Sequence, residues 1–116
     1  MEDMPWGAED VVLTTDVDSG DGALAVRRVH IDRDEMTAYH YHRHRNEIVF
    51  VQEGLLEIRL EDDYAEVGEN GAFFIEAGEP HQLQNIDDSV TEVLEIAMPF
   101  SPDDVEMLED PYADLR

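Results

Sequence analysis

Most of this chain alternates apolar and polar residues in short segments, and Gly, Asp, Asn or Pro cuts each segment off about every eight to twelve positions. Leu56, Ile58 and Leu60, interleaved with Glu57, Arg59 and Glu61, show the pattern most clearly. A period of two puts successive side chains on opposite faces, so a segment of this kind can bury one face only as a strand. Strands are predicted over Val11–Val17, Ala23–Ile31, Thr37–His42, Glu47–Val51, Leu55–Leu60, Tyr64–Val67, Ala72–Ile75, His81–Ile86 and Thr91–Met98. Asp18–Gly22, Asp62-Asp63 and Asp87–Ser89 supply the turns. The class is all-β, a sandwich or barrel with its core over about residues 11–98, in a single domain covering 1–116. Ser101-Pro102-Asp103-Asp104 pairs a capping serine with a proline and acids suited to a first helical turn, predicting a short helix over about 102–108 and a loose tail after Pro111.

Three of the five histidines lie within residues 40–44. On a strand, His40 and His42 face the same way, and Glu47 can join them from the next strand after a turn built from Arg43 to Asn46. The one histidine beyond this stretch is His81, behind the turn-forming run Glu76-Ala77-Gly78-Glu79-Pro80. Together they read as a metal site. Were the strand two residues longer, His44 would replace His40 as a ligand, and both assignments stay open at this stage. The blander reading of His-x-His is a solvated β ladder, and His30, isolated before a charged turn, reads as a surface or packed residue. The chain has no cysteine, so any transition metal must be held by nitrogen and oxygen. A donor set of imidazoles and a carboxylate suits Fe, Mn, Ni, Co, Cu or Zn without choosing among them.

Thirty Asp and Glu oppose seven basic residues, all arginine, giving a formal net charge of −23. That field repels phosphates, so nucleic acid is not an expected partner. Dispersed acids without lysine resemble the composition of proteins from salt-rich cytoplasm, where screening relieves self-repulsion. No basic, apolar leader starts the chain and no apolar run is long enough to span a bilayer. A soluble cytoplasmic protein with no membrane partner is therefore expected.

The residues also resemble a known family, the cupins. Its first motif, His-x-His, three or four residues, Glu, six residues, Gly, is met by His40, His42, Glu47 and Gly54. Its second is met at Gly78, His81 and Asn85. Three family positions depart: two motif glycines fall on Asp34 and Asn70, and the proline on Glu76; Gly71 is expected to take over the turn at Asn70. The resemblance implies a double-stranded β-helix (jelly-roll) barrel in which His40, His42, Glu47 and His81 hold one divalent metal. It implies a small-molecule metalloenzyme, with iron-dependent dioxygenation as the first chemistry to consider and Glu47 or a bound water managing protons. Sugar isomerases, epimerases and non-catalytic binding modules are the alternatives within the family. A homodimer is implied as well, for which Trp6, Val11 to Leu13 and Phe100 are available apolar material; Trp6 could equally close one barrel end. Val49, Val51 and Leu83, with Phe73 or Phe74, should line the cavity, and Tyr39 and Tyr41 should face away from it. Asn85 reads as a backbone-bonding residue, while Gln52, Gln82 and Gln84 are available to orient a substrate. Cations to clamp a phosphate could come only from Arg27, Arg28, Arg43, Arg45 and Arg59, and the acidic field favours neutral or cationic substrates.

Overall fold

In the computed structural model, which describes residues 1–16 and 23–115, the alternating segments become eleven strands. They are β1 (Glu2–Met4), β2 (Gly7–Asp16), β3 (Ala23–Ile31), β4 (Tyr39–Tyr41), β5 (Asn46–Glu53), β6 (Leu55–Arg59), β7 (Tyr64–Gly68), β8 (Ala72–Ile75), β9 (Gln82–Asn85), β10 (Thr91–Phe100) and β11 (Glu106–Glu109). The predicted end of the first strand at Val17 and the turn over Asp18–Gly22 lie outside the described residues. Six strands form one antiparallel sheet in the order β1-β2-β3-β10-β5-β8. β7-β6-β9 form a second sheet, and β4 pairs with β11 in a third. The last two are joined where His40 and His81 exchange backbone hydrogen bonds of 3.0 and 2.8 Å. The result is an all-β jelly-roll barrel.

Inward residues of both layers make the core: Val29, Ile31, Val49, Val51 and Val93 from the large sheet meet Leu56, Ile58 and Leu83 from the other. Each belongs to the alternating set, so burial follows directly from the period of two. Asp34 and Asn70, two of the positions that depart from the family motif, have φ of 64° and 66°. They are the non-glycine residues with positive φ among those described, and short polar side chains tolerate that left-handed conformation best. Asn70 thus makes its own turn, and the expectation that Gly71 would replace it is corrected. At Gly54, with φ of 104°, any side chain would run into Thr91, so the motif glycine is sterically required.

The helix predicted over 102–108 is absent. Ser101 to Asp104 closes a turn, with Asp104 N–H donating to the Ser101 carbonyl at 3.1 Å, and β11 then pairs with β4. The acids suited to a helical first turn are used differently: the Asp104 carboxylate accepts the backbone N–H groups of Arg43, His44 and Arg45 at 2.8, 3.0 and 3.1 Å. The tail beyond Pro111 is pinned as well, because the Tyr112 hydroxyl bonds Glu35 and accepts from the Met36 N–H; the one helical turn among the described residues is a 3₁₀ turn at Ala113–Leu115. No helix of the described residues is long and apolar enough to cross a membrane.

Candidate metal centre

His40 lies on β4, His42 just beyond it, Glu47 on β5, and His81 immediately before β9. The pairing of His40 with His81 joins the two smaller sheets at this point, and Glu47 reaches in from the large sheet opposite. The ring nitrogens of His40, His42 and His81 converge to within 4.8 Å of one another. Glu47 Oε1 stands 3.2 Å from His42 Nε2 and 3.3 Å from His81 Nε2. Neighbouring donors bound at about 2.1 Å to a six-coordinate ion sit about 3 Å apart, which the two Glu47 distances approach, while the three imidazoles lie near enough for one ion to draw them together.

The other nitrogen of each ring is committed. His40 Nδ1 is 2.7 Å from the Ala38 carbonyl, His42 Nδ1 is 2.5 Å from the Asp104 carbonyl, and His81 Nδ1 is 2.9 Å from the Glu79 carbonyl. A carbonyl can only accept, so each Nδ1 carries the hydrogen and each Nε2 is left as the potential ligand. Such bonds fix ring orientation and raise ligand basicity in metal sites.

Charges in this cavity are strongly perturbed. Burial would raise Glu47, but hydrogen bonds from His42 and His81 outweigh it and hold the carboxyl well below the usual range. Burial would lower His81, yet Glu47 pulls it above its ordinary value. His40 is pushed down to about 3 by burial and by His81, so it is neutral near pH 7. Without a metal, His81 thus holds a second proton against Glu47 more readily than His40 does.

The cavity has a volume of about 140 Å³. Val49 and Leu83 line it as expected, whereas Val51 sits in the core and neither Phe73 nor Phe74 reaches it; Phe74 is 57% exposed on the outside. Trp6 forms part of the cavity wall. Tyr39 stacks under the Arg59 guanidinium, 4.1 Å from its ring centre, and Tyr41 lies under Arg43, both away from the histidines. His44 is exposed in the turn, outside the cluster that His40 joins. His30 faces Glu92 at 3.6 Å. Asn85 donates to the Ile31 and Ser89 carbonyls and accepts from Asp87 N–H and Thr91 Oγ1, so it ties loops together. Gln82 donates to the Thr37 carbonyl; Gln82, Gln84 and Gln52 are absent from the cavity wall.

Two of the arginines named from the sequence as possible cavity cations, Arg27 and Arg45, line it, whereas Glu95, Val105, Met107, Asp110 and Tyr112 were missed. Arg27 on β3 and Glu95 on β10 point into the cavity and pair at 3.0 Å. Arg45 is 2% exposed, with Nη1 at 3.5 Å from both His42 Nε2 and Glu47 Oε2 and Nη2 donating to the Ser101 carbonyl at 2.9 Å. Glu95 is raised by burial first and by the Glu47 charge second, against the lowering effect of Arg27. Val105, Met107, Asp110 and Tyr112, all beyond the predicted barrel, also line the cavity. For Arg27 a signal existed, since it shares its phase with Ala25, Val29 and Ile31, where a charge demands a reason; Glu95 had none, because the other phase of its strand carries Leu94, Ile96 and Met98.

Comparison with known proteins follows the same lines. A family model described as Cupin domain matches residues 27–97. A mannose-1-phosphate guanylyltransferase of Sinorhizobium fredii is 30% identical over 92 residues, covering 79% of this chain; the chain spans only 17% of that protein's length. Among solved structures, KdgF from Halomonas sp. superposes with a TM-score of 0.71 at 21% identity, over 82% of this chain and 80% of that one. A sugar phosphate isomerase of Silicibacter pomeroyi gives 0.62 at 23% identity, over 68% and 52%. At such identities the likeness is one of fold.

Proposed function

The chain belongs to the cupin family, and on that premise we propose that it holds one divalent transition metal through His40, His42, Glu47 and His81 and acts on a small organic molecule in the adjoining cavity. The observation that carries this reading is the shared arrangement of the three imidazoles, each with Nδ1 on a backbone carbonyl and Nε2 turned to a common point. A bound ion of this kind supplies Lewis acidity or, if iron, access to dioxygen. The chain's own residues favour proton-transfer chemistry, such as isomerisation, epimerisation or elimination, over dioxygenation. Glu95 is a buried carboxyl on the cavity wall, raised above its ordinary value by burial and by the Glu47 charge, which suits it to take up and return a proton at a bound substrate. Arg27 holds it in place at 3.0 Å, while Trp6, Val29 and Leu83 exclude water on the apolar side.

Metal analysis of protein purified without added ions tests the centre. His40→Ala and His81→Ala should each lose most of the metal, and full occupancy in either variant would sink the site. Oxygen consumption dependent on Fe(II) would return the chemistry to dioxygenation.

Self-association belongs to the same reading. On the outer face of the large sheet, Leu13, Val26, Ile96, Ile48 and Phe74 lie in register across β2, β3, β10, β5 and β8. An apolar stripe of this length on a chain of charge −23 suits a homodimer, and sedimentation of Ile48→Asp against the unaltered protein checks it.

A further inference from the structure

The field of this protein is strongly negative, yet the cavity is not. Among the charged residues that line it, Arg27 and Arg45 oppose Glu47, Glu95 and Asp110, so a divalent ion brings the lining from −1 to +1. Two guanidinium donors, Nε of Arg27 and Nε of Arg45, are buried with no hydrogen-bond partner. A buried donor left unpaired costs about 1–3 kcal/mol, and such groups in native proteins call for a reason. The two arginines differ in what they have left to give. The head of Arg45 is taken up between His42, Glu47 and the Ser101 carbonyl. Arg27 spends Nη2 on Glu95 at 3.0 Å and, more weakly, on Glu9 at 3.5 Å. Its position opposite Glu95 places it across β10 from β5, on the same inward face as Glu47.

Resting on the metal-centre reading, the geometry points to a small monoanionic carboxylate bearing a neighbouring hydroxyl as the ligand of this cavity, with Arg27 as the residue that receives the carboxylate. A guanidinium matches a carboxylate in shape and charge, and the bond is charge-assisted. Glu95, held beside Arg27, offers an acceptor to the neighbouring hydroxyl. The apolar wall of Trp6, Val29, Val49 and Leu83 takes the hydrocarbon part. This inverts the expectation drawn from net charge: outside the cavity the acids repel anions, while within it the ligand finds the cations. Charge counted over the whole chain could not separate the two.

The test compares lactate with its neutral isostere lactamide by calorimetry, on protein reconstituted with one equivalent of Zn(II), with metal content measured on the same samples. Lactate should bind at least about tenfold more tightly than lactamide. Arg27→Gln should reduce that preference to less than about twofold without changing metal content, and Arg27→Lys, which keeps the charge opposite Glu95, should retain part of it. Equal binding of the two compounds, binding of neither, or an undiminished preference in Arg27→Gln would overturn the assignment. Protein that takes up no zinc yet still prefers lactate refutes the metal centre and leaves the carboxylate site standing. Protein that binds zinc with no preference does the reverse.

Discussion

Asp104 is the residue whose removal best tests how the site is held, because it joins the C-terminal segment to the turn after His42 at two levels. Its carboxylate accepts three consecutive N–H groups, from Arg43, His44 and Arg45, and its backbone carbonyl accepts His42 Nδ1. Asp104→Ala removes the first set and loosens the second. Two of the three N–H bonds are exposed, so water replaces most of their strength, and we assign each about 0.5 kcal/mol; the part-buried bond from Arg45 is worth about 1 kcal/mol. The expected loss is thus about 2 kcal/mol in urea unfolding of the metal-free protein. With the acceptor of His42 Nδ1 less firmly placed, metal affinity measured by chelator competition should fall about tenfold, the lower end of what such supporting bonds contribute. Burial alone would raise Asp104, but the three N–H donors hold it below its ordinary value of 3.8. Its contribution is therefore fully present above 3.8 and is lost as pH falls through the lower folded value. The difference between the unaltered protein and Asp104→Ala should begin to shrink once pH falls below 3.8. A variant with unchanged unfolding and unchanged metal affinity would refute the account of the turn and of His42 together.

Other consequences can be measured separately. Ile58 is fully buried between the layers, so Ile58→Ala should cost about 2 to 5 kcal/mol in denaturant unfolding, and a loss below about 1 kcal/mol would mean the layers do not pack as described. His81 is raised above 6.5 by Glu47, so its pairing stabilises the metal-free fold fully below 6.5 and fades as pH rises through the folded value; metal must displace that proton. The rise in Tm on adding Zn(II) should therefore grow as pH is raised from about 5.5 to about 8.5, and a constant rise would remove the proton from the site. His40, lowered to about 3, acts in the opposite sense, since the unfolded chain binds a proton there between about 3 and 6.5 that the fold refuses; stability from this residue is lost as pH falls through that window, and His40→Ala should abolish that loss. Finally, a charge of −23 should make Tm climb from dilute buffer to molar KCl, and a flat response would show that the acids do not repel enough to matter.

What could be read in advance divides along a physical line. Ala23–Ile31 and Leu55–Leu60 were legible because burial of one face imposes a period of two on the residues themselves, and β3 and β6 follow with little change of bounds. His40, His42 and His81 were legible because their spacing is local to two short stretches, and the fold then brings those stretches together. The C-terminal segment was not. Ser101 to Asp104 satisfies every local rule for a helix start, but each of those rules concerns satisfying backbone N–H groups, and Asp104 satisfies those of a turn about sixty residues away. A local preference worth about 1 kcal/mol loses to a tertiary arrangement that pairs β11 with β4 and lines a cavity. The same reasoning applies to Arg27 and Glu95, separated by 68 residues. Arg27 is marked by its phase and Glu95 is not, and the meaning of the pair lies in facing each other from adjacent strands inside a barrel. A charge at an apolar phase is therefore the sequence mark to follow in such a chain, since burial makes it costly unless a partner, an ion or a ligand meets it. Arg27 is such a residue: it lines the cavity beside Glu95, and the proposed carboxylate is what would meet it there.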